Sequence, residues 1–319
     1  MPVEDRLPDG HASAAPATPM TDRTRAAQAK ARILREALPW ITRWAGRTVV
    51  IKYGGSASSG PDALTATFAA DVALMRNVGL RVVVVHGGGP QISALSERLG
   101  LRPRFVNGLR VTDPQTLEVV RMVLLGQVNP QLVGMISAAG APAVGLAGTD
   151  ASLVQARAVD RTLGAVGEVE AVDPRVLVTL LDDGVVPVVA TVGRDRRGRE
   201  LNVNADAVAG AIAVALRADN LIYLTNVAGL YEDFGAASSA LLSEVTVERL
   251  RGMLAAGELH TGMIPKISSI VAAFDGGVPQ ACMLDGRVEH ALLLEIFTDQ
   301  GIGTLVTNTA DTMNTANPM

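Results

Sequence analysis

The sequence predicts an α/β protein in which helices cover both faces of a mainly parallel central sheet. Short continuous apolar runs alternate with segments of helical period, as in βαβ units. Of the 319 residues, 48% are hydrophobic and only 3% are aromatic, which suits aliphatic strands packed by helices rich in small residues. The same composition excludes a disordered chain, because such chains bury too little apolar surface to fold.

Charge and cysteine content exclude further classes. The chain carries 28 Lys+Arg and 32 Asp+Glu, a formal net charge of −4, whereas a general nucleic-acid binder presents a basic face. A single cysteine is too few for a disulfide framework or a cysteine-based metal site, and it fits a reducing cytosol. Residues 122–149 form the longest uncharged stretch, but glycines, amides and a proline interrupt it, so we expect no membrane span. The predicted protein is soluble and cytoplasmic, and neither nucleic acid nor a membrane is expected as a partner.

The elements follow in order along the chain. Residues 1–21 are predicted to be a disordered tail and residues 308–319 a loose one, because neither has an apolar period. A helix is predicted over 22–45, and Pro39 is expected to kink or end it. The later predicted elements are strands over 48–52, 81–85, 144–146, 185–190, 220–225 and 281–284, helices over 61–78, 91–99 and 205–216, and small hairpins over 155–175 (turn residues at 166–169) and 192–204.

Two glycine-rich loops follow the first two predicted strands, Gly54-Gly55 after one and Gly87 to Gly89 after the next. Backbone N–H groups at a helix N-terminus attract phosphate, and glycine lets the backbone approach it closely. Glycine is also the usual residue of a tight turn, which is the alternative explanation for either loop alone. The patterns GxxxxGK[ST] and GxGxxG are both absent, which disfavours a Walker-type ATPase and a dinucleotide-binding fold.

Two lysines and one carboxylate lie near these predicted strand ends. Lys52 closes an apolar strand, Lys266 opens a helix after a glycine-containing loop, and Asp206 lies where a hairpin meets a helix. Fixed cations lower the energy of a phosphoryl-transfer transition state, because that state spreads negative charge over the moving group. Asp206 could instead be an N-terminal helix cap, and either lysine a solvated charge. Arg110 is a candidate for binding a carboxylate, although an isolated arginine is more often a surface residue.

Seven motifs in the chain resemble those of the N-acetyl-L-glutamate kinases, a family of the amino-acid kinase superfamily. They are VVIKYGGSA (49–57), VVVVHGGGPQI (82–92), FVNGLRVTD (105–113), ELNVNADAVAGAIA (200–213), LIYLTNVAGLY (221–231), GMIPK (262–266) and LDGRVEHALLLEIFTDQGIGT (284–304). The resemblance implies a three-layer αβα sandwich. It implies transfer of the γ-phosphoryl group of ATP to the side-chain carboxylate of N-acetyl-L-glutamate, the second step of arginine biosynthesis. Residues 46–198 would bind the amino acid and residues 199–307 would bind ATP.

The resemblance also assigns residues. Lys52 and Lys266 would stabilise the transferring phosphoryl group, and Asp206 would hold both lysines. Three glycines would direct N–H groups at the phosphates and the acyl oxygen: Gly54, Gly55 and Gly88. The acyl amino acid would contact Gly88, Gly89, Arg110 and Asn202. ATP, with Mg²⁺ held by its phosphates and no protein residue assigned to the metal, would contact Thr225, Asn226, Gly229 and Met263.

In this family an extra N-terminal helix marks arginine-inhibited enzymes, where it interlaces dimers into a hexameric ring. Residues 22–45 match that helix, so we expect a homo-oligomer, either a dimer or a hexamer. The resemblance places a possible arginine site at five positions: Trp40, Asn220, Cys282, Glu295 and Gly301. The first three depart from the family's usual Tyr, Lys and His, and a thiol replaces a hydrogen-bonding imidazole poorly. We therefore expect weakened arginine inhibition.

Alternatives to acetylglutamate phosphorylation remain open. Asn226 and Thr149 also depart from the usual family residues, which is compatible with weaker turnover or a shifted substrate. One alternative is a related acyl-amino-acid kinase, such as one acting on N-acetyl-aminoadipate in the lysine route, because a pocket discriminates one methylene by only about 1–3 kcal/mol. Another is a regulatory relative that has lost turnover, against which the retention of both lysines and the aspartate argues.

Overall fold

The computed structural model describes residues 22–54, 62–106, 108–232, 240–260, 262–299 and 301–308. The predicted tail 1–21 therefore lies outside the described residues, and so does the predicted C-terminal tail apart from Asn308. The chain divides into two units, Met1–Pro39 and Trp40–Met319. The described part of the first unit is helical throughout.

The first helix, α1, spans Asp22–Trp44 and matches the predicted N-terminal helix closely. Proline removes one backbone donor and crowds the preceding turn, so Pro39 was expected to kink or end the helix. The helix does not end there but continues to Trp44. The indole of Trp44 is buried in the core of the second unit, and this packing favours a continuous last turn.

The second unit contains every strand in the described part of the chain. In chain order the strands are β1 (Thr48–Tyr53), β2 (Arg81–His86), β3 (Phe105–Val106), β4 (Leu109–Arg110), β5 (Ala143–Ala147), β6 (Val154–Ala158), β7 (Val166–Val172), β8 (Val186–Ala190), β9 (Val192–Arg194), β10 (Glu200–Val203), β11 (Asn220–Thr225), β12 (Tyr231–Glu232), β13 (Ala240–Leu241), β14 (Glu244–Thr246), β15 (Ala281–Asp285) and β16 (Thr304–Thr307). The helices after α1 are α2 (Asp62–Asn77), α3 (Gly89–Arg98), α4 (Pro114–Val123), α5 (Asn129–Ala138), α6 (Arg175–Asp182), α7 (Ala205–Leu216), α8 (Val247–Ala256), α9 (Ile264–Asp275) and α10 (Ala291–Ile296).

Eight strands form the central sheet in the order β14-β16-β15-β11-β1-β2-β8-β5. Every neighbouring pair is parallel except β15 and β16, which confirms the predicted mainly parallel sheet. Successive side chains of a strand point to opposite faces. Val49 and Ile51 accordingly pack in one core with α2, α4, α5 and α10, whereas Val50 packs in a second core with α6 to α9. Helices on both faces give the three-layer αβα arrangement that was predicted.

A small closed barrel of β10, β7, β6 and β9 is attached beside the sheet. It contains both predicted hairpins, β6–β7 and β9–β10, which also pair with each other. The predicted turn at 166–169 is wrong, because those residues belong to β7. The chain reverses before them, where the Asp160 carboxylate accepts a hydrogen bond from the Thr162 N–H and Gly164 takes a positive φ of 71°.

One continuous helical run, Pro114–Ala138, is long and apolar enough to cross a membrane by length and composition alone. It comprises α4, a π-helical turn at Leu124–Val128, and α5. Its most apolar window is 44% buried within the protein, and Val120, Val123 and Ile136 lie in the first core. The core helices of soluble proteins have the same property, so we assign this run to the core.

Candidate active site

A buried charge cluster lies where β1, α7 and α9 meet. The Nζ atom of Lys52 lies 2.9 Å from Oδ1 of Asp206, and the Nζ atom of Lys266 lies 3.2 Å from both carboxylate oxygens. The three side chains are only 9–13% exposed. The structure thus brings together the two lysines and the carboxylate that the sequence singles out, although they are 60 to 214 residues apart along the chain.

Asp206 is not the cap of α7, contrary to the alternative that the sequence left open. Asn204 is the cap, because its Oδ1 accepts hydrogen bonds from the N–H groups of Asp206 and Ala207. The Asp206 carboxylate therefore remains available to the lysines from the first turn of the helix. The positive end of the helix dipole also favours a negative charge there.

Burial and charge oppose each other in this cluster. Burial raises the pKa of Asp206, but attraction to Lys52 and then to Lys266 outweighs burial and leaves the pKa below its ordinary value. Burial lowers the pKa of Lys266 to about 8, partly offset by Asp206 and reinforced by repulsion from Lys52. Lys266 therefore loses its proton more readily than an ordinary lysine.

Tyr223 and Ser269 support the cluster from beneath. Ser269 donates to the backbone carbonyl of Asp206 at 2.6 Å, and the Tyr223 hydroxyl lies 2.7 Å from the Ser269 Oγ. The Lys266 ammonium lies 4.7 Å from the centroid of the Tyr223 ring, within the range of a cation–π contact. Gly210 makes room for Ser269, whose Oγ would be 2.4 Å from a Cβ at that position.

A cavity of about 230 Å³ opens on the Lys52 side of the cluster. It is lined by Gly87 to Gly89 after β2, by Arg110 and Asn202, and by Lys52 and Asp206. A Cβ on Gly54 would lie 3.0 Å from the Nζ of Lys52, and one on Gly88 would lie 2.8 Å from a methyl group of Leu124. Both glycines therefore permit close approach. Gly55, predicted to bind phosphate, lies outside the described residues.

Arg110 presents a buried guanidinium to this cavity. Its Nη2 donates to the Gly89 carbonyl at 2.9 Å and to the Ser93 hydroxyl at 2.8 Å, and the group stacks 4.7 Å from the Phe105 ring centroid. Among the described residues its Nη1 is buried and has no hydrogen-bond partner. An orphaned buried donor on a permanently charged group is well suited to an anionic ligand. The amide of Asn202 donates to Thr112 nearby.

A second cavity, of about 330 Å³, opens on the Lys266 side. Thr225 and Asn226 line it at the end of β11, and Met263 and Lys266 line it at the start of α9. Three of the four predicted nucleotide contacts thus lie together. Gly229 does not line this cavity, and a Cβ there would lie 2.3 Å from Thr304 Oγ1, so close packing requires this glycine. Its prediction as a nucleotide contact remains untested.

Four of the five predicted effector positions lie close to one another. Asn220 on β11 is 3.7 Å from the Cys282 thiol on β15, and Glu295 on α10 influences the same thiol. Glu295 accepts the Ile302 N–H at 2.8 Å, and Gly301 leaves room for that carboxylate. Burial, and then Glu295, raise the pKa of Cys282 well above its ordinary value.

Trp40 is the fifth predicted effector position. It lies on α1 under the Arg43 guanidinium, which is 5.6 Å from its ring centroid. Hydrogen bonds link Asn220 with Cys282 and Glu295 with the Ile302 N–H, next to Gly301. Trp40 stays a predicted effector residue.

Sequence reasoning missed several residues of the site. Asn204 had a signal, since an asparagine before a helix is a preferred cap. Ser269 also had one, because it follows Lys266 by three positions on the same helix face. Tyr223 and the buried pair His86 and Asn129 had none, because only the folded sheet brings them to the site. Among the described residues no group of three or more His, Cys, Asp or Glu side chains could hold a metal ion.

Comparison with known proteins agrees with this geometry. The profile of the family described as "Amino acid kinase family" matches residues 47–285. "Acetylglutamate kinase" of Frankia alni is 52% identical over 305 residues, covering 93% of this chain and 88% of the relative. "Acetylglutamate kinase" of Symbiobacterium thermophilum is 49% identical over 286 residues, covering 87% and 97% respectively.

Solved structures show the same fold. N-acetylglutamate synthase from Neisseria gonorrhoeae, complexed with coenzyme A and N-acetyl-glutamate, superposes with a TM-score of 0.77 at 27% identity, covering 88% of this chain and 64% of that one. Carbamate kinase from Giardia lamblia bound to AMP-PNP has a TM-score of 0.64 at 17% identity, covering 83% and 99%, and shows the fold alone. The chain therefore belongs to the amino acid kinase family and, within it, to the group of the acetylglutamate kinases.

Proposed function

We propose that this protein transfers the γ-phosphoryl group of ATP to the side-chain carboxylate of N-acetyl-L-glutamate, the second step of arginine biosynthesis. One observation carries the proposal: the Lys52–Asp206–Lys266 cluster joins two cavities, one of which presents the buried Arg110 guanidinium. Such a cluster suits phosphoryl transfer between two anions, each held in its own cavity. Relatives about 50% identical and named acetylglutamate kinase support this substrate.

We assign a separate role in phosphoryl transfer to each group of residues in the site. Arg110 Nη1 binds one carboxylate of the acyl amino acid, while Gly88, Gly89 and Asn202 contact the rest of it. The side-chain carboxylate attacks the γ-phosphorus. Lys52 and the N–H groups of the glycine loops surround the transferred group. Lys266 neutralises charge that develops toward the leaving ADP. Preorganised cations and N–H groups act strongly there, because little water enters a buried cluster.

ATP enters the second cavity, where Thr225, Asn226 and Met263 contact it and Gly229 shapes the adjoining loop. We propose that Mg²⁺ is held by the nucleotide phosphates, because Asp206 is engaged by two lysines and the described residues contain no other acidic cluster suited to a metal. When bound, the ion would neutralise charge on the phosphates. The amino-acid half would then be residues 46–198 and the ATP half residues 199–307. Asn202 belongs to the ATP half in sequence but lines the cavity of the amino acid.

The protein is proposed to act in the cytoplasm as a homo-oligomer, a dimer or a hexamer assembled through residues 22–45. Ile33, Leu34 and Leu38 on this helix are 58–68% exposed, which favours a partner copy covering them. Light scattering after size exclusion tests this assembly. A hexamer is expected if residues 22–45 join dimers, a dimer at all concentrations would contradict that role of the helix, and a monomer would contradict the homo-oligomer itself.

Arginine is proposed to inhibit this protein only weakly. Trp40, Asn220 and Cys282 occupy the effector positions where the family resemblance expects Tyr, Lys and His, so one cationic and one imidazole group are absent there. Asn220 and Cys282 are buried and contact each other instead. Initial rates should therefore keep most of their value at millimolar arginine. Complete inhibition at that concentration would refute this proposal.

A hydroxamate assay tests the proposed function, because hydroxylamine traps an acyl phosphate as it forms. We expect product with ATP and N-acetylglutamate, less with N-acetyl-aminoadipate, and none with glutamate, whose charged ammonium group cannot fill the place of an acetamide. Greater kcat/KM for N-acetyl-aminoadipate would instead assign the lysine-route kinase. Absence of product with all three substrates from folded protein that binds ATP would indicate a regulatory relative.

A further inference from the structure

A buried histidine lies directly beneath the glycine loop of the amino-acid cavity. His86 is the last residue of β2, is fully buried, and immediately precedes Gly87. Its Nδ1 lies 3.0 Å from the Gly87 carbonyl oxygen, and its Nε2 lies 3.0 Å from the Nδ2 of Asn129. Both ring nitrogens thus have partners, one in the loop and one in α5.

The surroundings of Asn129 determine which of its side-chain atoms is the nitrogen. The same atom that faces His86 lies 2.8 Å from the carbonyl oxygen of Val188, and a carbonyl can only accept. That atom must therefore be the amide nitrogen. Since it donates in both directions, the Nε2 of His86 has to be the acceptor.

This assignment fixes the tautomer of the imidazole. A neutral ring that accepts at Nε2 carries its proton on Nδ1, and that proton is directed at the Gly87 carbonyl. Burial lowers the pKa of His86 to about 4, which keeps the ring neutral at neutral pH. The chain of hydrogen bonds runs from the Val188 carbonyl through Asn129 and His86 to Gly87.

The last of these hydrogen bonds, from His86 to Gly87, determines the orientation of a peptide group in the cavity wall. No peptide bond among the described residues is cis, and in a trans peptide the carbonyl and the following N–H point in opposite directions. Holding the Gly87 carbonyl on the imidazole therefore turns the Gly88 N–H away from it. Gly88 lines the cavity and lies against Leu124 of the π-helical turn that ends one residue before Asn129.

We propose that His86 is a positioning residue for phosphoryl transfer, which acts as a neutral Nδ1–H donor that aims the Gly88 N–H at the reacting acyl oxygen. The inference rests on the proposed function, because it assigns a purpose to a bond in that site. Gly145 allows the side chain of Asn129 to lie in this position. A Cβ at residue 145 would be 1.9 Å from the Oδ1 of Asn129, so only glycine leaves room for the amide.

Two amide substitutions separate the two ends of the ring. In His86→Asn the amide nitrogen can take the place of Nδ1 and still donate to the Gly87 carbonyl. In His86→Gln the amide reaches the place of Nε2 and can accept from Asn129, but nothing donates to the loop. If His86 only filled space, the two variants should lose activity to a similar extent. If it positions the Gly87–Gly88 peptide, His86→Asn should keep more activity than His86→Gln.

We expect His86→Asn to retain kcat for N-acetylglutamate within about threefold and His86→Gln to lose about tenfold or more, with KM for ATP unchanged in both. His290→Asn is the matched control, because it removes an imidazole that is half exposed and bonded to Asp71 on α2. Its kcat should equal that of the unmodified protein. Equal losses in the two His86 variants, or a greater loss in His86→Asn, would overturn the proposal.

The tautomer can be read without any substitution at His86. Selective ¹⁵N-histidine labelling gives four imidazoles, and substituting His11, His260 and His290 in turn identifies the signals of His86 by elimination. Nδ1 should be protonated and Nε2 bare at pH 7, and a proton on Nε2 would overturn the proposal even if a variant failed to fold. Activity of the unmodified protein on N-acetylglutamate tests the proposed function separately, so the two failures are distinguishable.

Discussion

Neutralising Asp206 by Asp206→Asn should remove the negative charge that attracts both lysines. At an effective dielectric constant of about 20, opposite unit charges at the observed 2.9–3.2 Å attract by about 5–6 kcal/mol. An asparagine oxygen still accepts hydrogen bonds, so only part of this attraction is lost. We expect kcat to fall by about two to three orders of magnitude, as for the loss of one preorganised charge in an active site.

The same substitution should move the pH dependence of the reaction. In the unmodified protein without ligand the pKa of Lys266 is about 8. The ratio kcat/KM for ATP reports the free enzyme, so it should be highest below that pH and decline as the pH rises through it. Without the carboxylate, attraction is lost while burial and repulsion from Lys52 remain. The pKa of Lys266 should therefore fall, and the alkaline decline should move to a lower pH.

The loss of activity above pH 8 is not expected to reflect unfolding. Between about pH 8 and 10.5 the unfolded chain holds the Lys266 proton more tightly than the folded chain does. Stability rises with pH wherever the unfolded state binds more protons. The cost of burying the Lys266 charge is therefore relieved progressively across that window. Thermal denaturation at each pH should therefore show no matching loss.

The assay is ADP release over pH 5.5–9.5, at saturating substrates for kcat and at limiting ATP for kcat/KM, with circular dichroism to establish folding. Asp182→Asn is the matched control, because it removes a carboxylate that pairs with Arg81 on the surface, where such pairs contribute about 0–1 kcal/mol. Its kcat and pH profile should match those of the unmodified protein. An Asp206→Asn variant with kcat within threefold of normal, or with an alkaline decline still near pH 8, would refute the reasoning.

Two further substitutions test the packing around the site. Gly88→Ala should lower kcat/KM for the acyl amino acid about tenfold, because its Cβ would press on the π-helical turn at 2.8 Å, whereas Gly252→Ala, in open space on α8, should keep full activity. Comparable activity of the two would contradict this. Tyr223→Phe removes a hydroxyl that contacts Ser269 and the Asp206 carbonyl, and should cost about 1–1.5 kcal/mol of unfolding free energy in urea. An unchanged denaturation midpoint would show that this hydroxyl contributes nothing.

Much of the sheet was predictable, because its strands are continuous apolar runs. The strand Asn220–Thr225 was predicted with its exact bounds, and β1, β2 and β15 differ by one residue at one end. The barrel was predictable only as two separate hairpins, since β7 and β10 pair across a gap of about 30 residues in sequence that no local pattern records. Long-range pairing is decided by packing of the whole chain.

The charged part of the site was predictable for a different reason. A lysine that closes a buried strand is exceptional, so Lys52 drew attention without knowledge of its partners. His86 is equally buried, but an imidazole at a strand end is ambiguous until its neighbours are known. Asn129 and Val188, which determine its protonation, lie 43 and 102 residues further along the chain.

The two lysines and one aspartate also make the protein without substrate electrostatically incomplete. Two ammonium groups share a single carboxylate, so the cluster carries one surplus positive charge where little water can solvate it. A nucleoside triphosphate supplies the missing counter-ion. Because a ligand that binds only the native state stabilises that state, ATP should stabilise the fold. Simple polyvalent anions should do the same to a lesser degree. Sulfate or pyrophosphate in a purification buffer would therefore protect the protein against heat while competing with its substrates.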